Sequence, residues 1–329
     1  MKAALYRRAG PAAEVLHVEE IERPQPGPGQ VLVRVRASGV NPTDYKSRGG
    51  LTPRPIDGFQ IPHLDGAGII EAVGPGVDPG RVGERVWLVM AAAGRRWGTA
   101  AEWTVVPERQ AVPLPDGASF DLGASLGVPA LTAHYCLFSD GPVTGQTVLV
   151  AGGAGAVGHF AIELAKRAGA RVITTVSSAE KAALATAAGA HHVINYRTQD
   201  VVAEVRRLAP NGADIVVEVS TANAGPDVDL LAAHGVVAMY AGTAGQDVTV
   251  PLRPAMAINA RWQYVLLYTI PDAAKSAAVA AVTDAAAAGA IDVGDSVGLP
   301  LHRFPLEQTA AAHDAVQHGA VGKVLIDIG

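Results

Sequence analysis

One cysteine, Cys136, is present among 329 residues. That excludes an internal disulfide and any cysteine-rich metal knuckle, and it fits a reducing compartment. Charge of one sign is also scarce. Charged residues make up 17% of the chain and the net charge is −5, which gives no general attraction for nucleic acid or an anionic membrane. Adjacent arginines occur only at Arg7-Arg8, Arg95-Arg96 and Arg206-Arg207, and neither end carries a tail of like charge. No apolar run approaches the roughly 20 residues that span a bilayer. The alanine-rich stretch 273–290 is interrupted by Lys275 and Asp284 and reads as a helix in water. Met1 leads into Lys2-Ala3-Ala4-Leu5-Tyr6 with no basic-then-apolar signal segment, so the expected location is the cytoplasm. Internal repeats and low-complexity tails are absent as well.

What is present is a large apolar fraction, 49%, in a chain too long for one growing core, so two domains are expected. The first 120 or so residues punctuate short strands with glycine and proline. Val31-Leu32-Val33-Arg34-Val35-Arg36 alternates apolar and basic residues, the mark of a half-buried strand. It follows the turn signal Pro24-Gln25-Pro26-Gly27-Pro28-Gly29. Residues 68–73 and 84–89 are further strand-like runs, and the pattern suggests a small barrel.

From about Gly145 strands alternate with helices: strands at 147–151, 171–176, 193–195, 214–219, 235–241 and 264–269. This rhythm argues for a doubly wound parallel sheet, an α/β fold. The last residues, Lys323 to Ile328, read as a strand returning to the first domain. The expected division is 1–122 for the β-rich domain, 123–269 for the parallel-sheet domain and 270–329 for the return.

Between the first strand of the second domain and its helix lies Gly153-x-Gly155-x-x-Gly158. The turn must be tight, the backbone must approach a pyrophosphate, and helix must pack closely on strand; each demand removes a side chain. The amides of Ala156 and Val157, at the start of that helix, face where phosphates bind such termini. A site selective for NAD would place Asp or Glu about 20 residues on. Here the chain reads Val176-Ser177-Ser178-Ala179-Glu180-Lys181. The hydroxyls and the Lys181 ammonium suit the 2′-phosphate of NADPH; the alternative is that Ser177 caps a helix and Lys181 is merely solvated.

Taken in order, Ser38-Gly39-Val40-Asn41-Pro42-Thr43-Asp44, Gly66-Ala67-Gly68, Gly98-Thr99-Ala100-Ala101-Glu102-Trp103, 126–133, 177–181 and Val193-Ile194-Asn195-Tyr196 resemble the zinc-free quinone oxidoreductase (zeta-crystallin-like) family of medium-chain dehydrogenases/reductases. The resemblance covers nearly the whole chain and implies a GroES-like catalytic domain joined to a Rossmann domain. Zinc alcohol dehydrogenases of that superfamily hold a catalytic metal through Cys, His and Cys. Asn41, Leu64 and Val128 stand at those places, and none replaces a thiolate or imidazole. No metal site is therefore expected, and His63 and Asp65, which flank Leu64, read as a surface pair or a structurally bonded one.

Without a Lewis acid, an alcohol/ketone couple is poorly served, whereas a quinone or α,β-unsaturated carbonyl spreads incoming charge over a conjugated system. The resemblance implies hydride transfer from NADPH to such acceptors. It implies further that Asn41 bonds the nicotinamide ribose, with fixing of the Pro42 turn as the structural alternative. Thr132 would contact the cofactor near the crossover, Tyr196 would wall the 2′-phosphate pocket, and Gly242-Thr243 and the backbone near Leu266 would approach the nicotinamide half. The family's Asp-Thr-Tyr is Asp44-Tyr45-Lys46 here, which places Tyr45 and Lys46 as candidates at the substrate mouth with roles left open. An enoyl-thioester reductase, or a cofactor-binding protein without turnover, are the other readings. Residues 262–269 form an apolar edge expected to pair two copies into a homodimer.

Overall fold

Glycine and proline clusters break the first 113 residues into seven strands among the described residues: β1 (Lys2–Leu5), β2 (His17–Glu20), β3 (Gln30–Val40), β4 (Asp65–Val73), β5 (Arg85–Leu88), β6 (Trp103–Pro107) and β7 (Ala111–Pro113). Six more follow in the alternating region: β8 (Thr147–Ala151), β9 (Arg171–Val176), β10 (His192–Asn195), β11 (Ala213–Glu218), β12 (Leu231–Met239) and β13 (Arg261–Tyr264). Two close the chain, β14 (Leu301–Pro305) and β15 (Lys323–Asp327). This computed structural model describes residues 1–52, 55–242 and 245–329. They group into two units, Met1–Val128 with Pro300–Gly329, and Pro129–Leu299.

In the first unit one sheet runs β14-β15-β3-β4-β5-β7, with β6 also paired to β3. Arg34 is exposed, as the alternation requires, but Leu32 is buried along with Val31, Val33 and Val35. β3 is long enough to serve two cores. Val31 and Val33 pack with Ile70, Val86 and Leu88, while Val35 and Val40 pack with Leu5, Val324 and Ile326. β15 lies antiparallel on β3, Val324 opposite Val40, so the final strand does return to the first unit.

In the second unit the order is β10-β9-β8-β11-β12-β13 with every pairing parallel. This is a doubly wound sheet whose order reverses between β8 and β11, where such sheets take their ligands. The helix Ala156–Arg167 buries Phe160, Ala161, Leu164 and Ala165, spaced three and four apart, and Ile162 and Glu163 as well. The helix Leu131–Phe138 packs against it, and chain that the sequence reading assigned elsewhere also belongs to this unit. Helix Asp272–Ala287 buries Ala278, Val282, Ala285 and Ala286 within this unit, Arg167 pairs with Asp284 at 2.6 Å, and His159 Nε2 meets the Asp292 carbonyl at 3.0 Å. The return to the first unit therefore begins at Pro300 rather than at 270, and the first crossing falls after Val128 rather than 122.

The sixth strand is also displaced. It covers Arg261–Tyr264, not 264–269, and residues Leu267–Thr269 form a 3-10 turn. Its partner β12 ends at Met239, so only one more rung, Val265 N–H to the Met239 carbonyl at 2.8 Å, is available. Beyond it the Thr269 amide turns back onto the Leu266 carbonyl at 3.0 Å.

Candidate functional site

The C-terminal ends of the parallel strands gather the second unit's predicted site. Gly153, Gly155, Ala156, Val157 and Gly158 follow β8, Ser177 follows β9, Tyr196 follows β10, Gly242 lies three residues past β12, and Leu266 two past β13. Thr132 is buried on the helix Leu131–Phe138. Thr243 lies outside the described residues.

The three glycines are not equivalent. A Cβ on Gly153 would fall 2.1 Å from Thr174 Oγ1, and one on Gly158 would fall 2.4 Å from the Gly152 carbonyl oxygen. Those two are required by packing of helix on strand. A Cβ on Gly155 would meet the Gly152 oxygen at 3.5 Å, ordinary contact, and nothing closer. The protein's own packing does not demand glycine there. Gly155 is also the N-cap of helix Ala156–Arg167, and no side chain caps that terminus, so its leading amides are available to an anion.

At the end of β9 the structure separates two serines that the sequence leaves ambiguous. Ser178, not Ser177, is the N-cap of helix Ala179–Ala187, its hydroxyl accepting from the Lys181 amide at 3.2 Å. The Ser177 hydroxyl is thereby left for the side chain of Lys181, whose Nζ lies 3.0 Å away. Glu180 is exposed. Tyr196 is 51% exposed, so packing in a core does not account for it. Cys136 is buried, and burial pushes its thiol far up, away from thiolate.

Sequence reasoning overlooked the end of β11, the strand beside the reversal. Glu218 is buried there, and its Oε1 accepts from the amides of Val219 (2.7 Å) and Ser220 (2.6 Å) and from Asn223 Nδ2 (3.1 Å). This fixes the loop so that Val219, an apolar residue 38% exposed, lies 3.4 Å from the direction a Gly152 Cβ would take. The signal available in the sequence was positional: Val219 ends a central strand next to the glycine turn.

In the first unit, Asn41 is the N-cap of helix Pro42–Arg48, its amide donating to the Asp44 carboxylate at 2.7 Å. Its side chain is buried in a polar network. Asn41 Nδ2 donates to Asp65 at 2.7 Å, and Lys323 Nζ donates to Asn41 Oδ1 at 2.8 Å. The Val128 amide donates to both Asp65 oxygens, at 2.9 and 3.0 Å, and Lys323 Nζ stands 3.6 Å from Asp65 Oδ2. Burial pushes the Asp65 carboxyl up and the Lys323 ammonium down, and their mutual attraction opposes both shifts. Tyr45 and Lys46 are half-buried on the same helix, and their side chains have no hydrogen bond among the described residues.

His63 belongs to a second buried chain. Thr99 Oγ1 donates to the Asp65 carbonyl, which can only accept. Its one hydrogen is then spent, so Ser38 Oγ donates to Thr99 (2.7 Å) and His63 Nδ1 donates to Ser38 (2.8 Å). Burial keeps both histidines neutral, so His63 Nε2 accepts from His313 Nε2 at 2.9 Å. His63 holds a left-handed backbone, φ 79°, which a non-glycine residue keeps only where its surroundings fix it. His63 and Asp65, flanking Leu64, thus share no direct side-chain bond; their networks meet at Asp65, through its carbonyl in one and its carboxylate in the other.

A zinc ion does not fit this arrangement. Leu64 is a core residue at 1% exposure, Val128 offers no donor atom, and both ends of the Asn41 amide are engaged. Among the described residues no three His, Cys, Asp or Glu side chains are grouped to hold a metal.

Residues 156–284 match the zinc-binding dehydrogenase family and residues 27–116 the alcohol dehydrogenase GroES-like domain. A quinone oxidoreductase of Sus scrofa is 30% identical over 98% of this chain and 96% of its own length. The chain belongs to the quinone oxidoreductase family of medium-chain dehydrogenases/reductases. It is also similar to a 2-haloacrylate reductase of Burkholderia, 32% identical over 95% of this chain and 94% of the relative. A mycobacterial protein solved in complex with NADPH is 32% identical, with a TM-score of 0.83 and 99% of each chain covered. As a quinone oxidoreductase-like oxidoreductase, the chain carries its glycine turn after β8 and Ser177 after β9, at the C-terminal ends of adjacent parallel strands. No described helix is long and apolar enough to cross a membrane.

Proposed function

We propose that this protein is an NADPH-dependent, zinc-independent reductase of conjugated acceptors, quinones or α,β-unsaturated carbonyl compounds. The observation that carries the reading is the Ser177–Lys181 pair at the end of β9, where a site selective for NAD would set a carboxylate. The amides of Ala156, Val157 and Gly158 bind the pyrophosphate, and the open face of Gly155 lets it approach. Lys181 and Ser177 hold the 2′-phosphate, with Tyr196 as a wall. Gly242, Leu266 and Thr132 serve the nicotinamide half, and Asn41 bonds its ribose. When bound, NADPH supplies the hydride.

The donor set at Asn41, Leu64 and Val128 leaves the substrate oxygen without a Lewis acid, which favours acceptors that delocalise charge. Kinship with a 2-haloacrylate reductase extends the acceptors to activated C=C bonds bearing a carboxylate. Tyr45 and Lys46 stand at the substrate mouth, and the ammonium of Lys46 suits such an anion. The protein acts in the cytoplasm as a homodimer joined along β13. Tyr264 and Leu266 are exposed at that edge, and Tyr264 lines, with exposed Leu252 and Met256 of the helix Leu252–Ala257, a groove of about 530 Å³.

The test is a panel of quinones, enones, acrylates and enoyl thioesters ranked by kcat/KM with NADPH and with NADH, with and without chelator. NADPH-driven, chelator-insensitive reduction of quinones or enones is expected. Turnover restricted to simple ketones, or dependent on added zinc, would refute the reading.

A further inference from the structure

The Asn41 carboxamide lies between two opposite charges. Its oxygen receives the Lys323 ammonium at 2.8 Å and its nitrogen donates to the Asp65 carboxylate at 2.7 Å. An ammonium can only donate and a carboxylate can only accept. Flipping the amide would set NH2 against NH3⁺ and oxygen against carboxylate, two repulsive contacts in place of two charge-assisted bonds. The orientation of the amide is therefore fixed by the pair rather than by rotamer preference.

The pair is itself held in place. Asp65 accepts the Val128 amide on both oxygens, and Lys323 also donates to the Val40 carbonyl at 3.3 Å. Glycines make room: a Cβ on Gly127 would fall 2.1 Å from Asp65 Oδ1, and one on Gly39 would fall 3.1 Å from Lys323 Nζ. Two ionisable groups at 0 and 1% exposure are costly to bury, and the core around them would take apolar residues of like size. What the charges add is direction. An amide nitrogen carries two hydrogens, and among the described residues Asp65 accepts one, which leaves the other with a defined heading.

We propose that Lys323 and Asp65 are positioning residues that lock the Asn41 carboxamide so that its second N–H addresses the ribose of the bound nicotinamide nucleotide. This rests on the reading of Asn41 as a cofactor ligand, and it predicts that the two charged residues influence the nucleotide only through Asn41.

The test is a double-mutant cycle read by NADPH binding, with fluorescence titration giving Kd and thermal melting recorded for each protein. Lys323→Met in the natural background is expected to weaken NADPH about three- to tenfold, the worth of one hydrogen bond. In an Asn41→Ala background the same substitution should leave Kd unchanged, although melting shifts in both. Asp65→Asn, which keeps the size and an acceptor for Val128, should show the same dependence on Asn41 and serves if Lys323→Met does not fold. Equal losses in both backgrounds would mean the pair acts through packing alone, and no loss in either would remove it from the site; both outcomes overturn the proposal. A natural protein that does not bind NADPH would instead overturn the cofactor reading, so the two failures are distinct.

Discussion

Lys181 Nζ lies 3.0 Å from the hydroxyl oxygen of Ser177 at the end of β9, while the neighbouring Ser178 takes the helix cap. A charged hydrogen bond is worth roughly 1.5–3 kcal/mol, and about 1.4 kcal/mol is tenfold in affinity. Lys181→Ala should therefore weaken NADPH about ten- to a hundredfold and leave NADH almost untouched. Steady-state kinetics with each nucleotide and one quinone decide it. Equal losses would assign Lys181 to packing, and a natural enzyme that prefers NADH would refute the pocket.

The glycines of the turn separate binding from folding. Gly155→Ala places its methyl in ordinary contact at 3.5 Å, whereas Gly158→Ala drives one to 2.4 Å from the Gly152 oxygen. Gly155→Ala should fold with little change in melting and lose NADPH affinity. Gly158→Ala should lose about 1–3 kcal/mol of stability by overpacking. Intact NADPH binding in a folded Gly155→Ala protein would contradict the assigned path of the pyrophosphate.

Acid should act through the buried histidines. Burial holds His63 well down and His313 at about 3, against roughly 6.5 in an unfolded chain. Below about pH 6.5 the unfolded state takes up protons that the native state refuses, so stability falls as pH falls. His313→Leu strips His63 Nε2 of its donor and should cost about 1–3 kcal/mol near pH 8. The deficit should close by about 1.4 kcal/mol per pH unit below pH 6.5, because the variant no longer carries one of the two penalties. Denaturant melts at several pH values measure this; a deficit that is constant with pH would show that His313 titrates normally.

The exposed edge should be occupied. Among the described residues β13 pairs only with β12, and Tyr264 and Leu266 are 63 and 55% exposed. Light scattering at micromolar concentration should give a dimer, and Tyr264→Lys, which sets a charge on the edge, should shift it toward monomer. A natural protein that is monomeric across ordinary salt would end the idea.

Period and punctuation made most of the architecture legible. The alternation at 31–36 and the strand–glycine–helix succession at 147–169 fall where the structure has β3, β8 and the helix Ala156–Arg167. The helix Asp272–Ala287 was misassigned because its alanines reveal a helix but not its neighbour. That information lies in Arg167–Asp284 and His159–Asp292, contacts across more than a hundred residues. The networks around Asn41 were invisible for the same reason. Sequence shows an asparagine before a proline; it does not show that Lys323 will arrive at its oxygen.

The sequence separation of 282 between Asn41 and Lys323 also bears on how the chain folds. The unit Pro129–Leu299 is continuous, whereas the other unit is interrupted by it. Domains form as units in the order of synthesis, so the nucleotide-binding half can be finished while Asp65 still waits for its counter-charge. Closing a loop of this length is entropically slow. Docking of β15 beside β3 is thus expected to be the late event of folding, the step that seals a carboxylate until then kept in water.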